Sequence, residues 1–274
     1  MAQVQQIKID TSHGTLAVQS IGSGSPPLLC IHGNSFCCKI FKHIFSSDLS
    51  KTHQVLTIDL PGHGESSNAL DPQRSYNQPA YADAAVQVLQ KLGIAEVIIF
   101  GWSLGGHIAI EMLPLFDGIK GIMICGTPPV GYGELDKGFT FGDEGWKIAA
   151  AARDGLNAEE ISGFAHNCAD PPYEDWMEEC VARTDQVARS LMFNGFARGE
   201  CLDQRKTVGR STVPIAVVNG ADEPFVNLQF VKDVEYGNLW SGKCIEMEGL
   251  LHAPFWAKPK EFQEILERFI KDVS

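Results

Sequence analysis

Between residues 27 and 125 the chain alternates short apolar runs with longer amphipathic ones, and this rhythm limits the possible folds more than any other feature. The runs PLLCIH at 27–32, QVLTID at 54–59, EVIIFG at 96–101 and GIMIC at 121–125 are nearly continuous in apolar, largely branched residues. Strands of this kind are buried on both faces, so helices must cover the sheet on each side and parallel neighbours must be joined by crossovers. The segment 77–93 reads as one such crossover helix: Asn77 can cap it, Pro79 sits in its first turn, Tyr81, Ala85, Val88, Leu89 and Leu92 share a stripe, and Gly93 closes it. The rhythm resumes with strands at 214–219 and 243–247 and a last helix with Phe262, Ile265, Leu266 and Phe269 on one face. Strand patterns at 6–10 and 15–21 precede any helix, which predicts an antiparallel edge on a mostly parallel α/β sheet flanked by helices.

One stretch breaks the rhythm. Residues 130–210 show no convincing strand, and 143–152, 157–168, 173–189 and 186–195 read as short helices. The expected organisation is therefore a core of residues 1–129 and 211–274 with a helical cap inserted at 130–210. No repeat or flexible linker sets the insertion apart as an independent domain.

A balance of 22 Lys+Arg against 34 Asp+Glu gives a net charge of −12, which disfavours nucleic acid or an anionic membrane surface as partner. The N-terminus lacks the basic-then-apolar layout of a signal peptide, and the most apolar stretch, 97–110, is interrupted by Gly, Ser and His. A cytoplasmic protein is expected, and the sequence leaves its oligomeric state open. The eight cysteines are spread through a chain large enough not to need staples, so reduced thiols are expected, with adjacent Cys37 and Cys38 packing beside the pocket.

The chemistry centres on the strand at 96–101, which runs directly into Gly101-Trp102-Ser103-Leu104-Gly105-Gly106 and then a helix. That is the context of a G-x-S-x-G nucleophile elbow, in which neighbours without side chains let the backbone close tightly and project the serine Oγ at a helix N-terminus. A serine hydroxyl needs a base, and the base needs a carboxylate to orient it, in the order Ser, acid, His. His252, between the strand at 243–247 and the last helix, is the expected base. The strand at 214–219 leads into Asn219-Gly220-Ala221-Asp222-Glu223-Pro224; the usual count after the glycine lands on Glu223, and Asp222 stays as the alternative. The tetrahedral oxyanion needs donors, for which the N–H of Leu104 and that of Asn34, in the loop after 27–32, are the candidates. Trp102, Phe164 and Trp176 are candidate pocket walls, His32 a brace for the Asn34 loop, and His107 a packing residue one turn past Ser103.

HGNS at 32–35, DLPGHGES at 59–66, FGWSLGGHIAIEM at 100–112, NGADEP at 219–224 and LHAPF at 251–255 resemble, in this order, the α/β-hydrolase superfamily with a helical cap. More narrowly, GWSLGGHIAIEM with GTPPV at 126–130, VARTD at 181–185, IAVVNG at 215–220 with EPFV at 223–226, and GNLW with GK at 237–243 resembles the serine-dependent N-acyl-homoserine lactonases of this fold. The resemblance spans nearly the whole chain. It implies a metal-independent serine hydrolase that opens the lactone ring of acyl-homoserine-lactone signals (quorum quenching), with Ser103, Glu223 and His252 as catalytic triad, a neutral acyl lactone or ester as substrate, and no cofactor. Leu251 departs from the pattern, since most of the superfamily has Gly before the histidine.

A general carboxylesterase or thioesterase on the same triad is the nearest alternative, and a non-catalytic ligand receptor on a hydrolase scaffold is another. The dense H-x-H-x-D-H cluster of metallo-lactonases is absent, and Ser103 stands where epoxide hydrolases and dehalogenases have Asp.

Overall fold

The computed structural model describes residues 3–140 and 152–274. The helix expected at 143–152 falls, but for its last residue, outside the described residues. Eight strands form one sheet: β1 (Gln5–Thr11), β2 (Gly14–Ile21), β3 (Leu28–Ile31), β4 (Val55–Ile58), β5 (Val97–Trp102), β6 (Ile119–Cys125), β7 (Ile215–Gly220) and β8 (Ile245–Met247). Their spatial order is β1-β2-β4-β3-β5-β6-β7-β8. β1–β2 and β2–β4 pair antiparallel, and every later pair is parallel. The antiparallel edge is thus present where two strands precede the first helix. All residues of β3, β4 and β5 are buried, as two-sided coverage requires.

The crossover helix α1 (Gln78–Lys91) begins as its sequence dictates, with the Asn77 side chain accepting the Ala80 N–H at 2.9 Å. Helix α2 (Leu104–Met112) follows β5 without a linking loop. Between β6 and β7 run α3 (Ala158–Cys168), α4 (Asp175–Arg183), α5 (Ala188–Ala197) and α6 (Gln204–Arg210), and the described residues there make no strand beyond one bridge from Phe139 to Val226. A single helix over 173–189 is not observed. It stops at Arg183, because the Asp185 N–H turns to the Gly62 carbonyl at 2.9 Å and its carboxylate accepts the Tyr76 hydroxyl at 2.6 Å. The last helix, α7 (Pro259–Val273), buries Phe262, Leu266, Phe269 and Ile270 against the sheet. At about 1.5–3 kcal/mol per fully buried large apolar side chain, this stripe outweighs any helix propensity in fixing α7.

Eight reduced cysteines are not what the fold holds. Cys37 forms a disulfide with Cys180 of α4, with their Cα atoms 6.2 Å apart, so the loop after β3 is tied to the helical insertion. The partners are 143 residues apart in sequence, a pairing that composition does not reveal. Neither Cys37 nor Cys38 reaches the cavity beside Ser103. The Cys38 N–H is instead bonded to Asp59 Oδ1 at 2.7 Å.

The order in which strands are added to the sheet reverses at β3: the next strand, β4, lies on one side of it and β5 on the other. The loops leaving β3 and β5 therefore diverge at their C-terminal ends and open a crevice, where ligands of open α/β sheets bind. Asn34 follows β3 and Ser103 follows β5.

Candidate active site

Ser103 has φ 55° and ψ −119°, a left-handed backbone that a non-glycine residue holds only under constraint. Such a conformation costs on the order of 1–3 kcal/mol and persists where neighbours fix it. Here the Ser103 N–H donates to the Cys125 carbonyl of β6 at 2.7 Å, and the Thr127 hydroxyl donates to the Ser103 carbonyl at 2.8 Å. Gly105 is required at its position because a Cβ there would run into the Ile31 carbonyl of β3. The turn is thus clamped between two strands, with Ser103 and Leu104 on the wall of a cavity.

His252 borders the same cavity from the loop after β8. Its Nδ1 lies 2.9 and 2.8 Å from the two carboxylate oxygens of Glu223, so Nδ1 carries the proton and donates, leaving the Nε2 lone pair for other work. Glu223 follows β7; its side chain is 0% exposed, and its Oε1 also accepts the Phe225 N–H at 2.8 Å. Asp222 is exposed, and its N–H donates to the Leu250 carbonyl at 2.9 Å. Of the two neighbouring carboxylates, the structure brings Glu223 to the histidine. Trp102 is fully buried, and its indole N–H donates to the His252 carbonyl at 2.9 Å while its ring borders the cavity. Gly126 has φ +65°, and a Cβ on it would stand 2.5 Å from His252 Cε1.

Asn34 also lines the cavity, and its Oδ1 accepts the Ser35 hydroxyl at 3.1 Å. The left-handed residue of this loop is Ser35, at φ 62°. His32 braces the loop as a neutral ring, with Nδ1 donating to the Gly33 carbonyl at 2.7 Å and Nε2 accepting the Leu60 N–H at 3.0 Å. Burial holds its pKa below the ordinary imidazole value. Phe164 is on the cavity wall as expected. Trp176 is not; it packs edge-on against Phe36 and Trp256 at ring distances of 6.3 and 5.5 Å. Among the described residues no group of three or more His, Cys, Asp or Glu is gathered to hold a metal ion, and no helix is long and apolar enough to cross a membrane.

A strained serine between strand and helix, with a carboxylate-held histidine facing the same cavity, is the layout shared by a large group of hydrolases. A family model described as alpha/beta hydrolase fold matches residues 26–259. The chain belongs to the alpha/beta hydrolase fold family. This hydrolase is similar, at 44% identity and TM-score 0.96 over 99% of its length and 98% of the other chain, to the crystal structure of a mutant of the N-acyl homoserine lactonase AidH complexed with N-hexanoyl homoserine. A second AidH structure, complexed with N-butanoyl homoserine, gives 44% identity and TM-score 0.95 over 98% and 97% of the two chains. Among curated proteins it is 23% identical to a pimeloyl-[acyl-carrier protein] methyl ester esterase of Yersinia pseudotuberculosis, covering 92% of this chain and 95% of the relative.

Three residues of the hydrolase near this site escaped sequence reasoning. Asp170, 2% exposed and in the connection from α3 to α4, accepts the N–H groups of Leu251 and Ala253 at 3.0 and 3.2 Å, so it grips the residues on either side of His252. Burial raises its pKa, against the pull of those two donors. Arg189 of α5, also buried, donates to the Ser35 hydroxyl at 3.1 Å and so supports the Asn34 loop. His107, read as a packing residue, borders the cavity and donates from Nδ1 to Gln204 Oε1 at 2.6 Å; burial lowers its pKa to about 4. A carboxylate next to a cis-proline pair and an arginine in an amphipathic helix carry no sequence signal for such contacts.

Proposed function

We propose that this hydrolase opens the lactone ring of N-acyl-homoserine lactones through an acyl-enzyme on Ser103. His252 Nε2 takes the hydroxyl proton as Ser103 Oγ attacks the lactone carbonyl carbon, and the Asn34 and Leu104 N–H groups meet the developing oxyanion. Glu223 stabilises the imidazolium through Nδ1. The ring C–O bond then breaks, and the departing alkoxide takes the proton back from His252. A water, deprotonated by the same nitrogen, attacks the acyl carbon, and Ser103 Oγ leaves with that proton. The sum is one lactone plus one water giving an N-acyl-homoserine, whose carboxylic acid then releases its proton to the solvent.

The observation that carries the lactone is the 44% identity, over nearly the whole chain, to AidH bound to N-hexanoyl homoserine. The phenyl rings of Phe139, Phe164, Phe193, Phe196 and Phe225 along the cavity support an acyl chain as occupant. The test is to incubate the protein with N-hexanoyl homoserine lactone and follow a mass gain of one water, in the wild type and in Ser103→Ala. Hydrolysis by the wild type alone supports the proposal; equal or better turnover of linear p-nitrophenyl esters turns it to a general esterase, the reading favoured by the methyl ester esterase relatives. A biological response that survives Ser103→Ala would instead indicate a ligand receptor.

A further inference from the structure

Among the polar side chains that border the cavity and that the proposed mechanism leaves unused, Gln78 has a hydrogen-bond donor without a partner among the described residues. Gln78, the first residue of α1, is 2% exposed and lies on the cavity wall. Its Oε1 accepts a hydrogen bond from Gln204 Nε2 at 3.1 Å, whereas its own Nε2 has no partner among the described residues.

The direction of that amide is set by a chain of partners. Glu111, buried in α2, can only accept when ionised, and its Oε1 lies 3.0 Å from Gln204 Nε2. Gln204 therefore turns its NH2 toward Glu111 and its Oε1 toward His107 Nδ1, 2.6 Å away. The same NH2 reaches Gln78 Oε1, so the Gln78 carbonyl is taken up by Gln204 while its NH2, on a residue of the cavity wall, is left without a partner among the described residues. Gln204 is 0% exposed, and a flipped amide anywhere in this chain would set like groups against each other. A buried donor without a partner is destabilising, and on a cavity wall a ligand atom can supply that partner.

We propose that Gln78 Nε2 donates a hydrogen bond to a carbonyl oxygen in the acyl portion of the substrate, apart from the carbonyl under attack, and so selects acyl substrates that carry a second carbonyl. This deepens the acyl-lactone reading and rests on it for the identity of the acyl group. In an N-acyl-homoserine lactone the second carbonyl is either the amide oxygen or an oxo group further along the chain. Both present the same acceptor, and the substrates below separate them.

The test measures kcat/KM of the wild type, Gln78→Met and Gln78→Leu on three lactones: α-hexyl-γ-butyrolactone, with no second carbonyl, N-hexanoyl homoserine lactone and N-(3-oxohexanoyl) homoserine lactone. The expected result is a wild-type preference for the carbonyl-bearing lactones that shrinks about tenfold in both variants. Shrinkage already with the N-hexanoyl compound places the bond at the amide; shrinkage only with the 3-oxo compound places it in the chain. A wild type that does not discriminate, or variants that keep the wild-type ratios, would overturn the proposal, and the first of these outcomes needs no folded variant. Should no lactone be hydrolysed, methyl 3-oxohexanoate against methyl hexanoate asks the same question of an esterase, so the role of Gln78 and the choice of lactone fail separately.

Discussion

Ser103, Glu223 and His252 all leave the C-terminal ends of strands, whereas Asp170, Arg189 and Gln204 reach the same region from the segment between β6 and β7. Of the first group, Ser103 and His252 border the cavity and Glu223 holds His252 from behind. The second makes hydrogen bonds to the surroundings of the site: Asp170 to the N–H groups on either side of His252, Arg189 to Ser35 in the Asn34 loop, and Gln204 to His107 and Gln78 on the cavity wall. The sheet thus fixes which chemistry is possible, and the insertion fixes how firmly its parts are held. Loss of a sheet residue should remove a step, and loss of an insertion residue should weaken one.

Substitutions on the sheet side should have the largest effects. Ser103→Ala is expected to lower kcat about 10⁴-fold or more with the fold intact, read by turnover of an ester substrate alongside circular dichroism. Glu223→Gln should cost on the order of 10²–10⁴ in kcat, whereas exposed Asp222→Asn should stay within about twofold of the wild type; equal losses for the pair would undo the assignment of the acid.

On the insertion side, Asp170→Asn keeps the shape but offers one acceptor to two N–H groups. It should lower kcat about tenfold with little change in KM, and slow the labelling of Ser103 by a fluorophosphonate in proportion. A variant that loses thermal stability but labels at the wild-type rate would reduce Asp170 to a structural contact and break the comparison.

His107 joins the two sides and gives it a pH dependence. Its folded pKa of about 4 lies below the ordinary value of 6.5, so the unfolded chain takes up the proton first. The stability it contributes is complete above pH 6.5 and is lost as pH falls toward 4, by ~2 kcal/mol between pH 7 and 5. Buried His32 and His63 are shifted in the same direction. Thermal melts at pH 7 and 5 should therefore differ less in His107→Gln than in the wild type, and an unchanged difference would sink the assignment. The smallest effect concerns charge. Residues 131–205 hold 15 Asp+Glu against 7 Lys+Arg, a net −8 of the chain's −12. Added salt should mildly raise inhibition by the carboxylate product by screening this field; inhibition insensitive to ionic strength would remove any electrostatic part for the insertion.

The core was legible because its signals are local. Continuous apolar runs mark β3 to β6, Asn77 and Pro79 mark the start of α1, and the glycines around Ser103 mark a turn that no other residue type permits. The triad candidates follow strand ends, so counting from strands reaches them, although the choice between Asp222 and Glu223 depends on which way two adjacent side chains point. The insertion was legible only as helices. Its break at Arg183 depends on Tyr76 and Gly62, more than a hundred residues away, and the grip of Asp170 on the His252 loop is a long-range hydrogen bond to backbone, which no side-chain pattern records. Cys37 was misread for the same reason: its partner is on a helix whose placement the local pattern does not specify.

The bonds from Asp170 have a further consequence. The carboxylate that ties this segment between β6 and β7 to the core does so through the N–H groups on either side of His252. An excursion of residues 168–172 wide enough to break those bonds would release the loop around His252 at the same time. The two regions are therefore coupled in stability: whatever loosens the connection between α3 and α4 also loosens the loop that carries His252.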